Sequence, residues 1–402
     1  MRFTTAQQAA IDARNRDVLV SAAAGSGKTA VLVERVLSLL REGRRIDRML
    51  IVTFTRAAAG EMRERIGQRL EKEGERDPHL RRQYMLLPRA HICTLHVFCY
   101  GLLREHFEAV GIDPLCRIAD QDKLDALHKR AVDRVLEEMY AAPDENEQAL
   151  IDQFEDRQIE EMLGQLETFL LSQASPDAFA EKWGSEEENS LSYWLQVLSR
   201  LSLSHLAGAA ERMEQMEKLA QLPGFPERYL STVDLDGQLT AQLQNEARLG
   251  QITGGETKFD RLSSKKAQME DDPSLIEQYK SLREEWKECI RSARGLLPSD
   301  EKLAQQDICH TLPALRALFG LAKKVMACYF SLKQQRNYLD YSDLEHLSLR
   351  ALQDERVRQD VAGRYDALFV DEYQDVSGIQ EAILNALHQG QENMLFMVGD
   401  VK

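Results

Sequence analysis

The chain has 402 residues, of which 43% are hydrophobic and 29% charged, and its formal net charge is −15 at pH 7. This length accommodates two or three domains, and the composition is that of a globular protein. No apolar run approaches the roughly 20 residues that a membrane span requires, and the polar N-terminus, MRFTTAQQAAIDARNRD, lacks the apolar centre of a signal peptide, so we expect a cytoplasmic protein.

The acidic residues are concentrated in one part of the chain. Between Arg44 and Arg104 there are 13 Lys and Arg against 7 Asp and Glu, whereas between Asp120 and Ser190 there are 6 against 20. Because one segment carries nearly all of the excess, a basic surface can still exist elsewhere on the molecule. The net charge therefore does not exclude a nucleic-acid partner.

The first hundred residues alternate between β-rich runs and helices with periodic apolar residues. The predicted strands are Asp17–Ser21, Arg48–Thr53 and Ala90–Thr94. The helices predicted to follow them are Thr29–Leu40, Ala57–Glu71 and Val97–Phe107. This βαβαβα order is typical of a parallel sheet flanked by helices.

The strand signals fade from about Asp120 to about Gln335. Apolar residues there recur at three- and four-residue spacing, which indicates helices. Within this stretch, Gly224–Lys266 is richer in polar residues, Gly and Thr, and predicts a loop or a mobile region.

The strand pattern then returns in two runs, Tyr365–Asp371 and Asn393–Asp400, which are separated by a predicted helix at Ile379–His388. The simplest architecture is one α/β domain that is split by a helical domain.

A glycine-rich stretch, AAAGSGKT, lies where the first predicted strand gives way to a helix. Small residues let several backbone N–H groups surround a phosphate, and the helix adds partial positive charge at its N-terminus. Lys28 can reach the β- and γ-phosphates, and the Thr29 hydroxyl can coordinate Mg²⁺. The alternative is a glycine-rich turn that happens to carry a lysine. We predict an ATP-binding loop formed by Ala22, Ala23, Ala24, Gly25, Ser26, Gly27, Lys28 and Thr29.

The run LFVDEYQD places two carboxylates at the tip of an apolar strand. In a phosphate-loop enzyme, the first acid of such a pair holds Mg²⁺ and the second polarises the attacking water. We assign these roles to Asp371 and Glu372. Alone, the pattern would more often be a solvated turn, and it is the phosphate loop that favours the functional interpretation.

Several motifs together resemble those of the UvrD/Rep-type superfamily-one DNA helicases. Phe3–Ile11 resembles the adenine-reading segment, with Gln7 in the recognition role. Thr53–Met62 is similar to a DNA-contacting motif and Thr94–Cys99 to a second one, while Asp340–Leu344 resembles the segment before the acidic strand. Two positions depart from the usual pattern: Ala22 replaces a glycine, a variant the family tolerates, and Arg56 replaces an asparagine in the first DNA motif.

The resemblance implies a surface that single-stranded DNA crosses. Hydroxyl and amide groups there hold phosphates, and an aromatic side chain stacks on a base. The alternative is that the two phenylalanines belong to the core and that the histidine is a buried, hydrogen-bonded one. The implied DNA-binding residues are Thr53, Phe54, Thr55, His96 and Phe98.

Within the family, three stretches near the two ends of the chain, AAAGSGKTAVLVERV, LLPRAHICTLHVFCYGLLREHF and FVDEYQDVSGIQEAIL, resemble those of the AddA-type helicase/nucleases. That resemblance implies a motor that uses ATP and Mg²⁺ to move along single-stranded DNA. It also implies exonuclease activity, a role in double-strand-break repair and recombination, and two kinds of partner: single- or double-stranded DNA and an AddB-like helicase/nuclease protein, with which it forms a heterodimer.

The implied fold is a RecA-like parallel sheet of the P-loop NTPase class, interrupted by a large, mainly helical inserted domain. The expected domains are residues 1–115 and 336–402 for the ATPase lobe and 116–335 for the insertion. A second lobe and a nuclease domain are expected beyond Lys402, so we expect this chain alone to be weakly active or inactive. Two alternatives stay open: a UvrD/Rep-type helicase without a nuclease, and a non-enzymatic module that binds DNA or protein.

Overall fold

A computed structural model describes residues 3–23, 25–185, 190–263, 271–388, 390 and 393–400. The chain divides into two compact units. The first unit comprises residues 1–143, 155–180 and 319–402, and the second comprises 144–154 and 181–318. Among the described residues, no helix combines the length and apolar character that crossing a bilayer would need.

The first unit is built on a parallel sheet. The strands in the described ranges are β1 (Val18–Ser21), β2 (Met49–Thr53), β3 (His91–Thr94), β4 (Arg117–Ile118), β5 (Tyr338–Leu339), β6 (Ala367–Val370) and β7 (Met394–Gly399). The main sheet has the order β1-β7-β6-β2-β3 with every neighbouring pair parallel, and β4 pairs with β5 in a separate ribbon. The predicted parallel sheet is therefore confirmed.

Helices occupy most of the remaining described chain. They are α1 (Thr5–Asp12), α2 (Lys28–Arg41), α3 (Arg56–Gly74), α4 (Pro78–Leu86), α5 (Leu95–Glu105), α6 (Phe107–Val110), α7 (Gln121–Ala141), α8 (Glu145–Gln153), α9 (Asp156–Leu171), α10 (Pro176–Trp183), α11 (Leu191–Ala220), α12 (Glu227–Arg248), α13 (Pro273–Gly295), α14 (Glu301–Gln334), α15 (Tyr341–Leu352), α16 (Glu355–Ala362) and α17 (Gly378–Leu387). The helices predicted around the sheet all form, with slightly shifted ends.

Alternating side chains of the central strands supply two separate cores. Leu50 and Val52 of β2 belong to a cluster that includes residues of α5, α15 and α17. Met49 and Ile51, their neighbours in the strand, belong to a second cluster that includes residues of α2 and α3. Since both faces are covered, β2 and β6 are apolar at nearly every position, as a parallel sheet requires.

The parallel arrangement decides where the loops meet. The carboxyl ends of parallel strands lie at one edge of a sheet, and ligands bind outside that edge in open α/β folds. The segments that follow β1, β2, β3, β6 and β7 therefore gather together. These segments contain the phosphate loop, both predicted DNA motifs and the acidic pair.

The second unit corrects one prediction. The loop expected over Gly224–Lys266 is wrong for residues 227–248, which form α12; residues 249–263 form no helix or strand, and 264–266 lie outside the described residues. The polar composition wrongly indicated a loop, because two polar residues of α12 are buried and accept hydrogen bonds from another helix of the unit. Asp236 accepts a hydrogen bond from Arg283 Nη2 at 3.0 Å, and Thr240 accepts one from Trp286 Nε1 at 2.9 Å.

The helical character predicted for the middle of the chain is confirmed by α7 to α14. The boundaries expected for a single inserted domain, 116 and 335, stay a prediction. The compact division of the chain assigns 144–154 and 181–318 to the second unit.

Candidate functional site

The phosphate loop runs from the end of β1 to the start of α2. The Ala22 N–H donates to the Gly399 carbonyl at 3.2 Å, which extends the β1–β7 pairing by one residue. Gly25 and Gly27 adopt positive φ angles of 77° and 81°, a conformation that other residues rarely take. Ala24 lies outside the described residues. The strand–loop–helix placement inferred from the sequence is thus present.

Lys28, the first residue of α2, points its ammonium back into the loop. Its Nζ donates to the carbonyl oxygens of Ala22 at 2.9 Å and Ala23 at 3.2 Å, and it forms an ion pair with Asp400 at the end of β7. These acceptors are all oxygens that a bound triphosphate would replace.

Gln7 contacts the phosphate loop from α1. Its side-chain Oε1 accepts the Thr4 N–H at 2.8 Å within a capping box, and its Nε2 donates to the Ser26 carbonyl at 2.9 Å. The structure therefore brings Gln7 into contact with the phosphate loop, and its adenine-reading role stays a prediction.

A buried arginine fixes the helix that carries Gln7. Arg35 of α2 is 1% exposed, and its Nη1 donates to the carbonyl oxygens of Ala10, Ile11 and Ala13 at the end of α1. Its guanidinium lies 4.7 Å from the centre of the Phe396 ring. Burial lowers the pKa of Arg35 to about 10. This clamp ties α1 to the helix that begins in the phosphate loop.

The acidic pair follows β6 at the same edge of the sheet. Asp371 is 8% exposed, and its backbone N–H donates to the Val52 carbonyl at 3.0 Å. Burial and the neighbouring charge of Glu372 raise the pKa of Asp371, while the charge of Lys28 opposes that shift. Glu372 is exposed and has a positive φ of 55°. The structure thus brings Lys28 and Asp371 to one site.

The donor set suits a hard cation. Thr29 and Asp371 offer a hydroxyl and a carboxylate, and Mg²⁺ prefers oxygen ligands supplied by one or two protein groups, phosphates and water. In the described part of the chain, no group of three or more His, Cys, Asp or Glu residues could hold a metal ion. A cation beside Asp371 would also offset the cost of burying its charge. These residues therefore fit a magnesium ion that is bound together with nucleotide phosphates.

The first DNA motif exposes one aromatic side chain. Phe54 is 63% exposed, just beyond β2. Thr53 is 2% exposed and its hydroxyl donates to the Thr55 carbonyl at 3.0 Å, while the Thr55 hydroxyl accepts the Ala58 N–H at 3.0 Å and caps α3. Phe54 and Thr55 therefore reach the surface, whereas Thr53 holds the turn beneath them.

The second DNA motif requires a correction. Phe98 is 6% exposed and lies in the core with its ring centre 6.2 Å from that of Tyr365, so it has no face free to stack on a base. It is buried because α5 turns this position towards the sheet. His96 is partly exposed; its Nε2 lies 3.1 Å from Glu345 Oε1, and its ring meets Tyr341 edge-on at 4.9 Å.

One small cavity is lined by residues of both predicted sites, the DNA motifs and the acidic pair. Its volume is about 90 Å³, and its lining includes Phe54 and His96 from the DNA motifs together with Asp371 and Glu372. Gln380 of α17 also lines it and donates from Nε2 to Glu345 Oε1 at 2.6 Å. The His96 side chain is thus connected through Glu345 to the helix that follows the acidic pair.

The sequence did not single out three polar residues of this site, namely Glu345, Gln374 and Asp400. Gln374 accepts the Asp400 N–H at its Oε1 at 2.8 Å and donates from Nε2 to Glu372 Oε2 at 2.7 Å. Gln374 lies within the run LFVDEYQD and Asp400 ends the predicted strand Asn393–Asp400, which was the available signal. Their contact joins residues 26 positions apart, and no local pattern reports such a contact.

Comparison with known proteins agrees with this geometry. Residues 3–402 match the UvrD/REP helicase N-terminal domain. Over its whole length the chain is 36% identical to the A subunit of the ATP-dependent helicase/nuclease of Alkaliphilus metalliredigens, 36% to that of Syntrophomonas wolfei and 34% to that of Geobacillus kaustophilus. The aligned region covers 35%, 33% and 35% of these relatives, respectively.

The chain therefore spans about a third of the length of the relatives that it resembles. The family match extends over nearly the whole chain, and the parallel sheet with its phosphate loop and acidic strand end is consistent with it. The chain belongs to the UvrD/REP helicase N-terminal domain family.

Proposed function

We propose that this chain is the ATP-binding motor portion of an AddA-like ATP-dependent DNA helicase/exonuclease. In the whole protein, ATP hydrolysis drives movement along single-stranded DNA during double-strand-break repair and recombination. The observation that carries the proposal is that Lys28 pairs with Asp400 at the end of β7, while Asp371 follows β6, the parallel neighbour of β7; Lys28 and Asp371 lie near opposite ends of the sequence. The family match and the relatives' names support the same conclusion.

The chain's residues divide the work on ATP. Gln7 recognises the adenine, the backbone of Ala22–Thr29 surrounds the phosphates, and Lys28 neutralises the charge that develops on them. Thr29 and Asp371 hold Mg²⁺, which when bound withdraws charge from the phosphate oxygens. Glu372, exposed beside the buried Asp371, orients and deprotonates the attacking water.

The DNA surface of the proposal consists of Phe54, Thr55 and His96. The exposed Phe54 ring stacks on a base, a contact worth about 1–3 kcal/mol, while Thr55 and His96 contact the backbone. Thr53 supports this surface through its hydrogen bond to Thr55, and Phe98 acts only in the core.

The relatives' names describe one component of a helicase/nuclease that has more than one, which supports an AddB-like protein as the partner of this chain. We also propose that the whole protein has nuclease activity and a cytoplasmic location, and that residues 116–335 of this chain form the inserted domain.

A single-turnover assay tests the ATP-dependent part. The chain is mixed in excess with radiolabelled ATP and Mg²⁺, with and without single-stranded DNA, and Lys28→Ala serves as the matched variant. We expect weak ATP binding and slow hydrolysis by the unmodified chain, and at least tenfold less binding by Lys28→Ala. If both proteins bind nucleotide equally well and their DNA affinity is the same with and without ATP, the result would instead support a non-enzymatic DNA-binding module.

A further inference from the structure

Gln374 lies between the phosphate-loop lysine and the proposed catalytic base. Three contacts form a continuous chain: the Lys28 ammonium pairs with the Asp400 carboxylate, the Asp400 N–H donates to Gln374 Oε1, and Gln374 Nε2 donates to Glu372 Oε2. The same Nε2 also lies 3.3 Å from Asp375 Oδ2. The oxygen of the Gln374 amide therefore contacts the residue that pairs with Lys28, and its nitrogen contacts the proposed catalytic base.

The end of β7 is shaped to admit this side chain. A Cβ atom on Gly399 would lie 2.8 Å from Gln374 Oε1 and 3.2 Å from its backbone nitrogen. A side chain at position 399 would therefore push Gln374 away from Asp400. The absence of a side chain there allows the amide to lie directly against the strand end.

We propose that Gln374 is a positioning residue that sets the orientation of Glu372 according to whether Lys28 is paired with Asp400 or with a nucleoside triphosphate. The proposal rests on the role given above to Glu372. In the structure, the Lys28 ammonium pairs with the Asp400 carboxylate, and Gln374 links Glu372 to the end of β7.

A bound triphosphate offers Lys28 several charged oxygens in place of one carboxylate. Asp400 then loses its partner, and its backbone N–H, which holds Gln374 Oε1, moves with it. The amide transmits that movement to Glu372 because a planar amide group cannot shift one end without the other. Glu372 is thereby aimed at water only when the phosphates are in place.

The main experiment is a double-mutant cycle in the full chain. Single-turnover hydrolysis rates and the Kd of a fluorescent ATP analogue are measured for the unmodified protein, Gln374→Met, Glu372→Gln and the double variant. Gln374→Met keeps the size of the side chain and removes its hydrogen bonds. We expect a loss of about tenfold in rate, equivalent to one hydrogen bond of about 1.4 kcal/mol, with Kd changed less than twofold.

Because Gln374 acts through Glu372, the double variant is expected to be no slower than Glu372→Gln alone. A further tenfold loss in the double variant, or an unchanged rate in Gln374→Met, overturns the inference. If Glu372→Gln itself retains full activity, the proposed base is wrong and the inference falls with it. If Glu372→Gln hydrolyses ATP much more slowly while Gln374→Met keeps the normal rate, only the inference about Gln374 is overturned and the proposed base stands.

A second variant and a second readout do not depend on turnover. Gly399→Ala is expected to reproduce the Gln374→Met defect, because its methyl group displaces the amide. Hydrogen exchange is measured with and without a non-hydrolysable ATP analogue. We expect the analogue to change the protection of the peptide spanning 371–376 in the unmodified protein and not in Gln374→Met. An identical response in both proteins contradicts the coupling. Melting curves followed by circular dichroism confirm that each variant is folded.

Discussion

Lys28 and Asp400 form an ion pair although 372 positions separate them in the sequence. The pair exists because β1 and β7 are parallel neighbours, so that the residues beyond their carboxyl ends meet. The ion pair joins the lysine of the phosphate loop to the end of β7.

Replacing Lys28 by Met is expected to remove the stabilisation that nucleotide gives to the fold. A ligand present at 100 times its Kd stabilises the folded state by about 2.7 kcal/mol, and Lys28→Met loses the charged contacts that support binding. Thermal melting with and without Mg·ATP measures the effect. A matched control is Lys123→Met, which removes an exposed ion pair with Asp120; it should keep the full nucleotide-induced shift.

The buried Asp371 is expected to destabilise the nucleotide-free fold at neutral pH. Its raised pKa means that the folded protein holds this proton more tightly than the unfolded chain, whose carboxyl has an ordinary pKa of 3.8. The stability contributed by this group is therefore greatest below pH 3.8 and falls as pH rises through the raised pKa of Asp371.

Asp371→Asn should consequently raise the free energy of unfolding at pH 7 by about 1 kcal/mol, and the gain should vanish as the medium is acidified. Urea denaturation at a series of pH values checks both the sign and the window. Glu71→Gln, on an exposed position of α3, is the control and should change little. A less stable Asp371→Asn at neutral pH would contradict the assigned effect of burial.

The two phenylalanines of the DNA motifs should behave in opposite ways. Phe54→Ala removes a 63% exposed ring and is expected to weaken single-stranded DNA binding by about 1–3 kcal/mol with little change in stability. Phe98→Ala empties a core position and should lower the free energy of unfolding by about 3–5 kcal/mol. Fluorescence anisotropy with a labelled oligonucleotide and urea denaturation separate the two. A DNA defect of equal size in a fully stable Phe98→Ala protein would restore Phe98 to the DNA surface.

Glu345 is expected to act on DNA through His96. Its Oε1 lies within 3.1 Å of His96 Nε2 and within 2.6 Å of Gln380 Nε2, so Glu345→Ala releases both side chains. We expect single-stranded DNA affinity to fall about tenfold, the equivalent of one hydrogen bond to a charged group, with ATP affinity unchanged. His96→Ala should cause a similar loss, and the double variant should be no weaker than either single variant. Additive losses would show that Glu345 and His96 act separately.

The buried Asp236–Arg283 pair is expected to stabilise the second unit. Both side chains are nearly inaccessible, so Asp236→Ala leaves the buried Arg283 guanidinium without its carboxylate partner and should cost about 3–5 kcal/mol. The chain's three tryptophans, at positions 183, 194 and 286, all fall within 181–318, so tryptophan fluorescence during urea denaturation reports on this unit. Glu288→Ala, which removes an exposed pair with Arg291, should cost less than about 1 kcal/mol.

Local sequence determined the elements around the ATP site. Short apolar runs such as 49–53 and 367–370 favour buried strands, and glycines at 25 and 27 permit the positive φ angles of the phosphate loop. The resemblance of the motifs to those of known helicases indicated which ligand each loop is expected to bind. It could be recognised because each motif is a short run of adjacent residues. These features were predictable because each depends on residues that are close together in the chain.

Tertiary structure decided the rest, since it depends on contacts between distant segments. The sequence could not show that Phe54 faces outward and Phe98 inward, because both are aromatic residues beside a strand end. Nor could it show that the polar stretch 227–248 is helical, because Asp236 and Thr240 accept hydrogen bonds from Arg283 and Trp286, which lie 47 and 46 positions away. The contact of Gln374 with Asp400 likewise exists only once β6 and β7 lie side by side.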